Sequence, residues 1–194
     1  MENAARSERS RNAAIQAALT IIARDGPGRL TLDAIARESG ISKGGVMHHF
    51  RTKGAVVKAL LEHQIEHFEK FGRDYRAALP PGHPEPELAT RIATSREAIS
   101  TQNSVAFAVI GALAEEPGLM SIVREIDATA VELIKAEATD PDLALLRWEA
   151  ARGLIITSLL GHCPLTVEQR QRLFDRLLDS RQWAALAKAA PQGV

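Results

Sequence analysis

Apolar residues along this chain recur at three- and four-residue intervals, while strand-like alternation of Val, Ile, Thr and Tyr is absent. Ala14, Ala17, Ala18, Ile21 and Ile22 make the inner stripe of a first helix, predicted from about Arg9 to Arg24. Gly26 is placed to end it as a left-handed cap. Thr31 then caps a short second helix, LDAIARES, with Asp33 near its positive end and Leu32, Ile35 and Ala36 facing inward. Gly40 stops that helix, and Ser42 caps the next almost at once. Two short helices joined by a tight glycine turn form a helix-turn-helix. Thr52 caps a longer helix, from about Lys53 to Ala78.

Beyond it, Pro80, Pro81, Pro84 and Pro86 punctuate an exposed connection. Four more helices are predicted at roughly 86–102, 104–115, 117–138 and 141–161, bounded by Pro117, Asp140-Pro141 and the stretch from Gly161 to Pro164. A last amphipathic segment runs from Thr166 to about Ala190, carries Leu173, Leu177 and Leu178 on one face, and is expected to break near Ser180. The chain therefore reads as all-α, with about nine helices. Residues 1–52 form a three-helix head, 53–79 a connecting helix and 80–194 a helical body.

Composition agrees. Hydrophobic residues make up 45% of the 194 positions but aromatic ones only 4%, which favours helices packed through aliphatic side chains. The single cysteine, Cys163, excludes an internal disulfide and a multi-thiolate metal site, and reads as a small buried residue near a helix end. Residues 1–14 are polar and do not resemble a signal peptide. The longest apolar runs fall far short of the ~20 residues needed to span a bilayer. A cytoplasmic protein without membrane contact is expected.

Charge changes the picture more. Residues 1–58 carry ten basic side chains against five acidic ones, although the whole chain is neutral. A basic head on an acidic body points to a polyanionic partner for the head alone. The third helix shows how such a partner would be met. Projecting ISKGGVMHHF at 100° per residue puts Val46 and Phe50 together as the docking face, with Ile41 leading in. Gly44, Gly45 and His48 fall on the opposite side, flanked by Lys43 and Met47 on one edge and His49 on the other. Each glycine costs a helix roughly 1 kcal/mol relative to alanine. Close approach of the helix backbone to a partner, as at a phosphate or in a major groove, would justify that cost. Ser42 and the free N–H groups beside it suit an anion, and Lys53 offers a further phosphate contact.

Enzymatic readings are weaker. HQIEH, from His63 to His67, matches a zinc-peptidase pattern and places two histidines on one helix face, but no third ligand follows in a fitting context. His48 and His49, adjacent on a helix, point about 100° apart and chelate poorly. No nucleophile elbow, P-loop or dinucleotide fingerprint is present. No catalytic residue, metal or cofactor is expected.

The stretch from about Arg9 to Leu61 resembles the N-terminal domain of TetR/AcrR-type transcriptional regulators. The matching residues are Gly26, Thr31, Ile35-Ala36, Gly40-Ile41-Ser42, Gly44, Val46, His49-Phe50, Lys53 and Leu60, in order and at the usual spacing. The resemblance implies a homodimer presenting two reading helices to successive major grooves of a palindromic operator in double-stranded DNA. Lys43, Gly44 and His48 would then face bases, and Thr31, Ser42, His49 and Lys53 would hold phosphates. Gly45 and Met47 are also counted as DNA-binding, Met47 either meeting a thymine methyl or simply packing. Arg6, Arg9 and Arg11 would serve as a basic arm. Two residues depart from the pattern: Met47 stands where a tyrosine is usual, and Gly54-Ala55 replace acidic residues at the start of the fourth helix, leaving a weaker N-terminus.

For residues 80–194 the resemblance implies a C-terminal ligand-binding and dimerisation domain. Candidate effector contacts are His63, His67, Phe68, Phe71, Phe107, Ile110, Met120 and Trp148, with Arg96, Ser100, Asn103 and Arg152 as polar partners. Dimerisation is expected through helices 141–161 and 166–190, using Ala150, Gly153, Leu154, Thr157 and Gly161 with Leu173, Leu177 and Trp183. The function implied is a repressor released by a small-molecule effector of unknown identity. The alternative is a DNA-binding adaptor controlled by a protein partner.

Overall fold

The computed structural model describes residues 2–100 and 116–187. Nine α-helices and no strand occur among the described residues: α1 (Glu2–Asp25), α2 (Leu32–Ser39), α3 (Lys43–His49), α4 (Lys53–Ala78), α5 (Pro86–Ser100), α6 (Met120–Glu137), α7 (Pro141–Leu159), α8 (Val167–Leu178) and α9 (Ser180–Ala184). The predicted helix 104–115 lies outside the described residues. Contacts gather the chain into two units, with α4 belonging to the first up to Glu66 and to the second from His67.

In the first unit, α1 starts well before the predicted Arg9. Residues 4–9 are exposed, so no apolar periodicity announced this extension; strong helix formers carry it. Arg6 and Arg9 therefore stand on a helix, not on an extended arm. Gly26 also differs from expectation. Its φ of 83° is positive, but its ψ of 163° is extended, and its N–H still bonds Ile22 O at 3.0 Å.

The turn between α2 and α3 forms as its residues dictate. Thr31 Oγ1 accepts from Ala34 N at 3.0 Å, and Gly40 takes the left-handed conformation at φ 70°, ψ 9°. Ser42 Oγ accepts from Gly45 N at 3.1 Å. Ile21, Ile22, Leu30, Ile35, Val46 and Phe50 close the core beneath, together with Val56, Val57 and Leu60 of α4. Each such side chain contributes roughly 1.5–3 kcal/mol by leaving water.

The second unit is built on α5, α6, α7 and α8. Leu88, Ile92, Ala130, Ile134, Ala144, Trp148, Ala151, Phe174 and Leu177 form its core. Glu137 of α6 caps α5, accepting from Glu87 N at 3.0 Å and Leu88 N at 2.8 Å. Asp140 caps α7, and Thr166 with Gln169 makes a reciprocal capping box on α8. The break near Ser180 is present: Asp179 ends α8 and caps α9. Pro117–Leu119, which belongs to the first unit, is a single 3₁₀ turn ahead of α6.

Three residues expected at a dimer interface are turned inward, among them Leu154, half-buried against the core. Leu177 is 7% exposed within the core. Trp183 packs against that core, its indole N–H donating to Arg176 O at 2.7 Å. Periodicity alone could not separate the inner from the outer edge of this amphipathic segment. Cys163, expected to be buried, is half-exposed in the turn after α7. Among the described residues, no helix is long and apolar enough to cross a membrane.

Candidate nucleic-acid interface

The site is set by what α3 buries. Val46 is fully buried and Phe50 is 3% exposed, which fixes the rotation of a helix only seven residues long. Lys43, Gly44, Met47 and His48 are thereby left exposed, with Met47 at 46%. These four make one continuous open face.

The two glycines differ. A Cβ at Gly44 would meet nothing within 4 Å, so the absence of a side chain there leaves clear space. A Cβ at Gly45 would lie 2.7 Å from Ile41 Cγ2 and 3.3 Å from Ser42 Oγ. Gly45 is half-buried and answers to the turn beneath it, not to the open face.

Three of the expected phosphate ligands stand at helix starts, Thr31 at α2, Ser42 at α3 and Lys53 at α4. Thr31 and Ser42 are exposed, and each uses its hydroxyl oxygen to accept a backbone N–H, which leaves the hydroxyl hydrogen for an incoming acceptor. Thr52 caps α4 through Ala55 N at 3.1 Å, and Lys53 opens that helix.

At the other end of α3, the His48 ring stands edge-on to His49 at 5.2 Å, and His49 lies 6.2 Å from Phe50. The Arg11 guanidinium sits 5.8 Å from the Phe50 ring centroid. Burial, and then the positive charges of His48 and Arg11, holds the His49 imidazole below its ordinary value. A phosphate brought to this group would reverse the last two effects.

Sequence reasoning missed two contacts. Asp33 is a charge in the first turn of α2, and its carboxylate also reaches Lys43 Nζ at 3.0 and 3.2 Å. The pair is ten residues apart across a turn, so no helical spacing signals it. Gly54 is the second. A Cβ there would lie 2.9 Å from Glu116 Oε1, so a carboxylate from outside α4 lies against the helix start that lacks acidic residues of its own.

The predicted effector residues fall differently. His63 and Met120 belong to the first unit, and His67, Phe71, Arg96, Trp148 and Arg152 to the second. Trp148 is 4% exposed and lies in the core, with the Arg152 guanidinium 4.8 Å over its ring. Arg152 pairs with Asp127 at 2.6 Å, and Arg96 with Asp175 at 3.0 Å. His67 is exposed, while Phe68 and Phe71 are half-buried. Asn103, Phe107 and Ile110 lie outside the described residues, as does the side chain of Ser100. Among the described residues, no group of three His, Cys, Asp or Glu side chains is placed to hold a metal.

Comparison with known proteins agrees with this architecture. Residues 14–60 match the family described as "Bacterial regulatory proteins, tetR family", and residues 86–180 match "Tetracyclin repressor-like, C-terminal domain". The HTH-type transcriptional regulator SrpR of Pseudomonas putida is 38% identical over 68 residues, which cover 34% of this chain and 32% of SrpR. The regulator BetI of Pseudomonas aeruginosa (strain LESB58) is 32% identical over 78 residues, 40% of each chain. The matches thus span about a third to two fifths of the length of these curated relatives.

Among solved structures, the multidrug binding protein EbrR complexed with malachite green superposes with a TM-score of 0.64 at 22% identity, covering 86% of this chain and 96% of that one. A member of the TetR family from Streptomyces coelicolor A3 gives 0.63 at 21% identity, covering 87% and 97%. These two show a shared fold. The sequence relatives are transcriptional regulators and not enzymes. With an N-terminal helix-turn-helix match and a C-terminal match on the same chain, this protein belongs to the TetR family of helix-turn-helix transcriptional regulators.

Proposed function

We propose that the chain is a homodimeric repressor that binds a partly palindromic operator in double-stranded DNA and is released by a small-molecule effector. One observation carries the DNA-reading half: the open face of Lys43, Gly44, Met47 and His48 above the buried Val46 and Phe50. Lys43 and His48 contact base edges, Gly44 gives clearance, and Met47 meets an apolar edge such as a thymine methyl. Thr31, Ser42, His49 and Lys53 hold phosphates. In this reading residues 1–52 bind DNA, 53–79 connect, and 80–194 carry effector binding and dimerisation, with the protein acting in the cytoplasm.

Dimerisation is supported by the open side of α7, where Leu146 is 63%, Ile156 48% and Leu160 54% exposed beside Gly153. Leu173 of α8 adds to this apolar surface at 38%. The effector is inferred by analogy with EbrR, a protein of the same fold described in complex with ethidium and with malachite green. Half-buried Phe68 and Phe71 of α4 suit an apolar ligand. Arg96 and Arg152 would have to release Asp175 and Asp127 to grip an anionic one. Effector binding would shift α4 and so the distance between two reading helices, to which half-sites at fixed spacing are sensitive.

Selection of bound duplexes from random sequence tests the reading. An enriched inverted repeat is expected, with affinity falling steeply as salt rises. No enrichment at low salt overturns the proposal. Operator binding that no small molecule alters, with a protein co-purifying, would favour the adaptor reading instead.

A further inference from the structure

Asp33 is a carboxylate on the face proposed to meet a polyanion. As an acid in the first turn of α2 it complements the positive end of that helix, a contribution of only about 0.3–1 kcal/mol. Thr31 already caps α2, taking Ala34 N at 3.0 Å, so Asp33 is not needed for that hydrogen bond. Its ion pair with Lys43 is open to water, with side-chain exposures of 56% and 59%, and exposed pairs of this kind add little to stability. An acidic side chain two residues from Thr31 and paired to the residue after Ser42, both expected phosphate ligands, repels the phosphate backbone those residues would bind.

The position of Lys43 gives the carboxylate a use. Lys43 is the first residue of α3, and its ammonium is held at 3.0 and 3.2 Å from the two Asp33 oxygens. A lysine ammonium is a mobile point charge that accepts any phosphate whatever the sequence. Contacts of that kind supply sequence-independent affinity, whereas contacts to base edges supply discrimination. Held by Asp33, Lys43 can move to a phosphate only by leaving a carboxylate unpaired next to the DNA. It can meet a base acceptor only where the docked helix brings the right edge close enough to compensate.

We propose that Asp33 is a specificity-determining residue: by holding Lys43 over the first turn of the reading helix, it suppresses phosphate binding that is blind to sequence. The inference rests on α3 being the reading helix and concerns a residue outside that helix. It predicts an unusual sign, since removing the acid should improve binding to the wrong DNA more than to the right one.

The experiment uses the full chain and Asp33→Asn, which keeps the side-chain shape and removes the charge. Affinity is measured for the selected inverted repeat and for a scrambled duplex of equal length, between 50 and 200 mM salt. For Asp33→Asn, affinity for the scrambled duplex should rise by up to about fivefold, the most an exposed ion pair can withhold, and its log–log salt slope should steepen by about 0.9, the value of one added phosphate contact. The ratio of specific to scrambled affinity should fall. In Asp33→Asn combined with Lys43→Gln, both gains should vanish, because the released lysine is their source. Gains that survive without Lys43 would mean simple charge repulsion and overturn the inference. Wild type and Asp33→Asn discriminating equally would overturn the inference alone. Wild-type protein that cannot tell the two duplexes apart would overturn the DNA-reading role itself, and this inference with it.

Discussion

Adjacent glycines in α3 carry opposite constraints. A methyl group at Gly45 would press on Ile41 Cγ2 at 2.7 Å, in a turn already fixed by Gly40 and Ser42. Gly45→Ala should therefore destabilise the protein by about 1–3 kcal/mol in urea unfolding, in spite of alanine's better helix propensity. Gly44→Ala meets open space and should be neutral or stabilising by up to about 1 kcal/mol in the same assay. Its effect should appear in DNA affinity, which should drop as the added methyl displaces the helix from the groove. A Gly45→Ala variant as stable as wild type would remove the steric account.

His49 provides a pH dependence with a definite sign. Burial and its positive neighbours depress its folded-state pKa. Between that value and the ordinary imidazole value near 6.5, the unfolded chain binds more protons than the folded one. This group therefore costs the free protein no stability above that range and lowers it as pH falls through the range. DNA binding runs the other way: a phosphate at His49 favours the imidazolium, so affinity should rise as pH falls through the same range. Titrating operator affinity from pH 8 to 5.5 checks this. His49→Gln should flatten the part of the rise that belongs to this residue.

At the scale of elements, the second unit depends on one buried arginine. Arg147 of α7 is 3% exposed. It pairs with Glu85 ahead of α5 at 2.5 Å, donates to Leu177 O at the end of α8 at 2.8 and 3.3 Å, and lies 5.5 Å from the Trp183 ring of α9. A single guanidinium thus satisfies a carboxylate and a helix-terminal carbonyl in one place. Arg147→Ala strands both and leaves a void, so a loss of about 3–5 kcal/mol is expected in chemical denaturation. Arg147→Met, which refills the volume, should recover part of it. In the first unit the corresponding junction is the start of α4, where Glu116 packs on Gly54. The N-terminus that looked weak in sequence has a carboxylate against it after all.

At the scale of the whole molecule, the chain joins a basic helix-turn-helix head to an acidic helical body in which one side of α7 is exposed. Leu146, Ile156 and Leu160 lie outside the core cluster, while Ala144, Trp148 and Ala151 of the same helix lie inside it. Such a two-sided helix suits burial on both sides, against its own core and against a second copy. Ile156→Glu should shift the protein from dimer to monomer in sedimentation velocity while leaving its helical content unchanged. A variant that stays dimeric would move the interface elsewhere.

Most helices and the caps at Thr31, Gly40 and Ser42 were legible in the sequence by itself, because they depend on neighbours within four residues. The early start of α1 and the extended ψ of Gly26 were not. Thr31, Gly40 and Ser42 act locally, and Val46 with Phe50 sets which side of α3 is hidden. The family resemblance rested on the same short-range pattern, and the N-terminal family match covers that stretch. Only the tertiary structure decided what depends on distant partners. It turned Leu177 and Trp183 inward, put Trp148 in the core, tied Arg96 and Arg152 to carboxylates, and brought Asp33 to Lys43 and Glu116 to Gly54. Apolar periodicity marks a face of a helix but not what that face meets, and charge in a sequence carries no record of its partner across a turn.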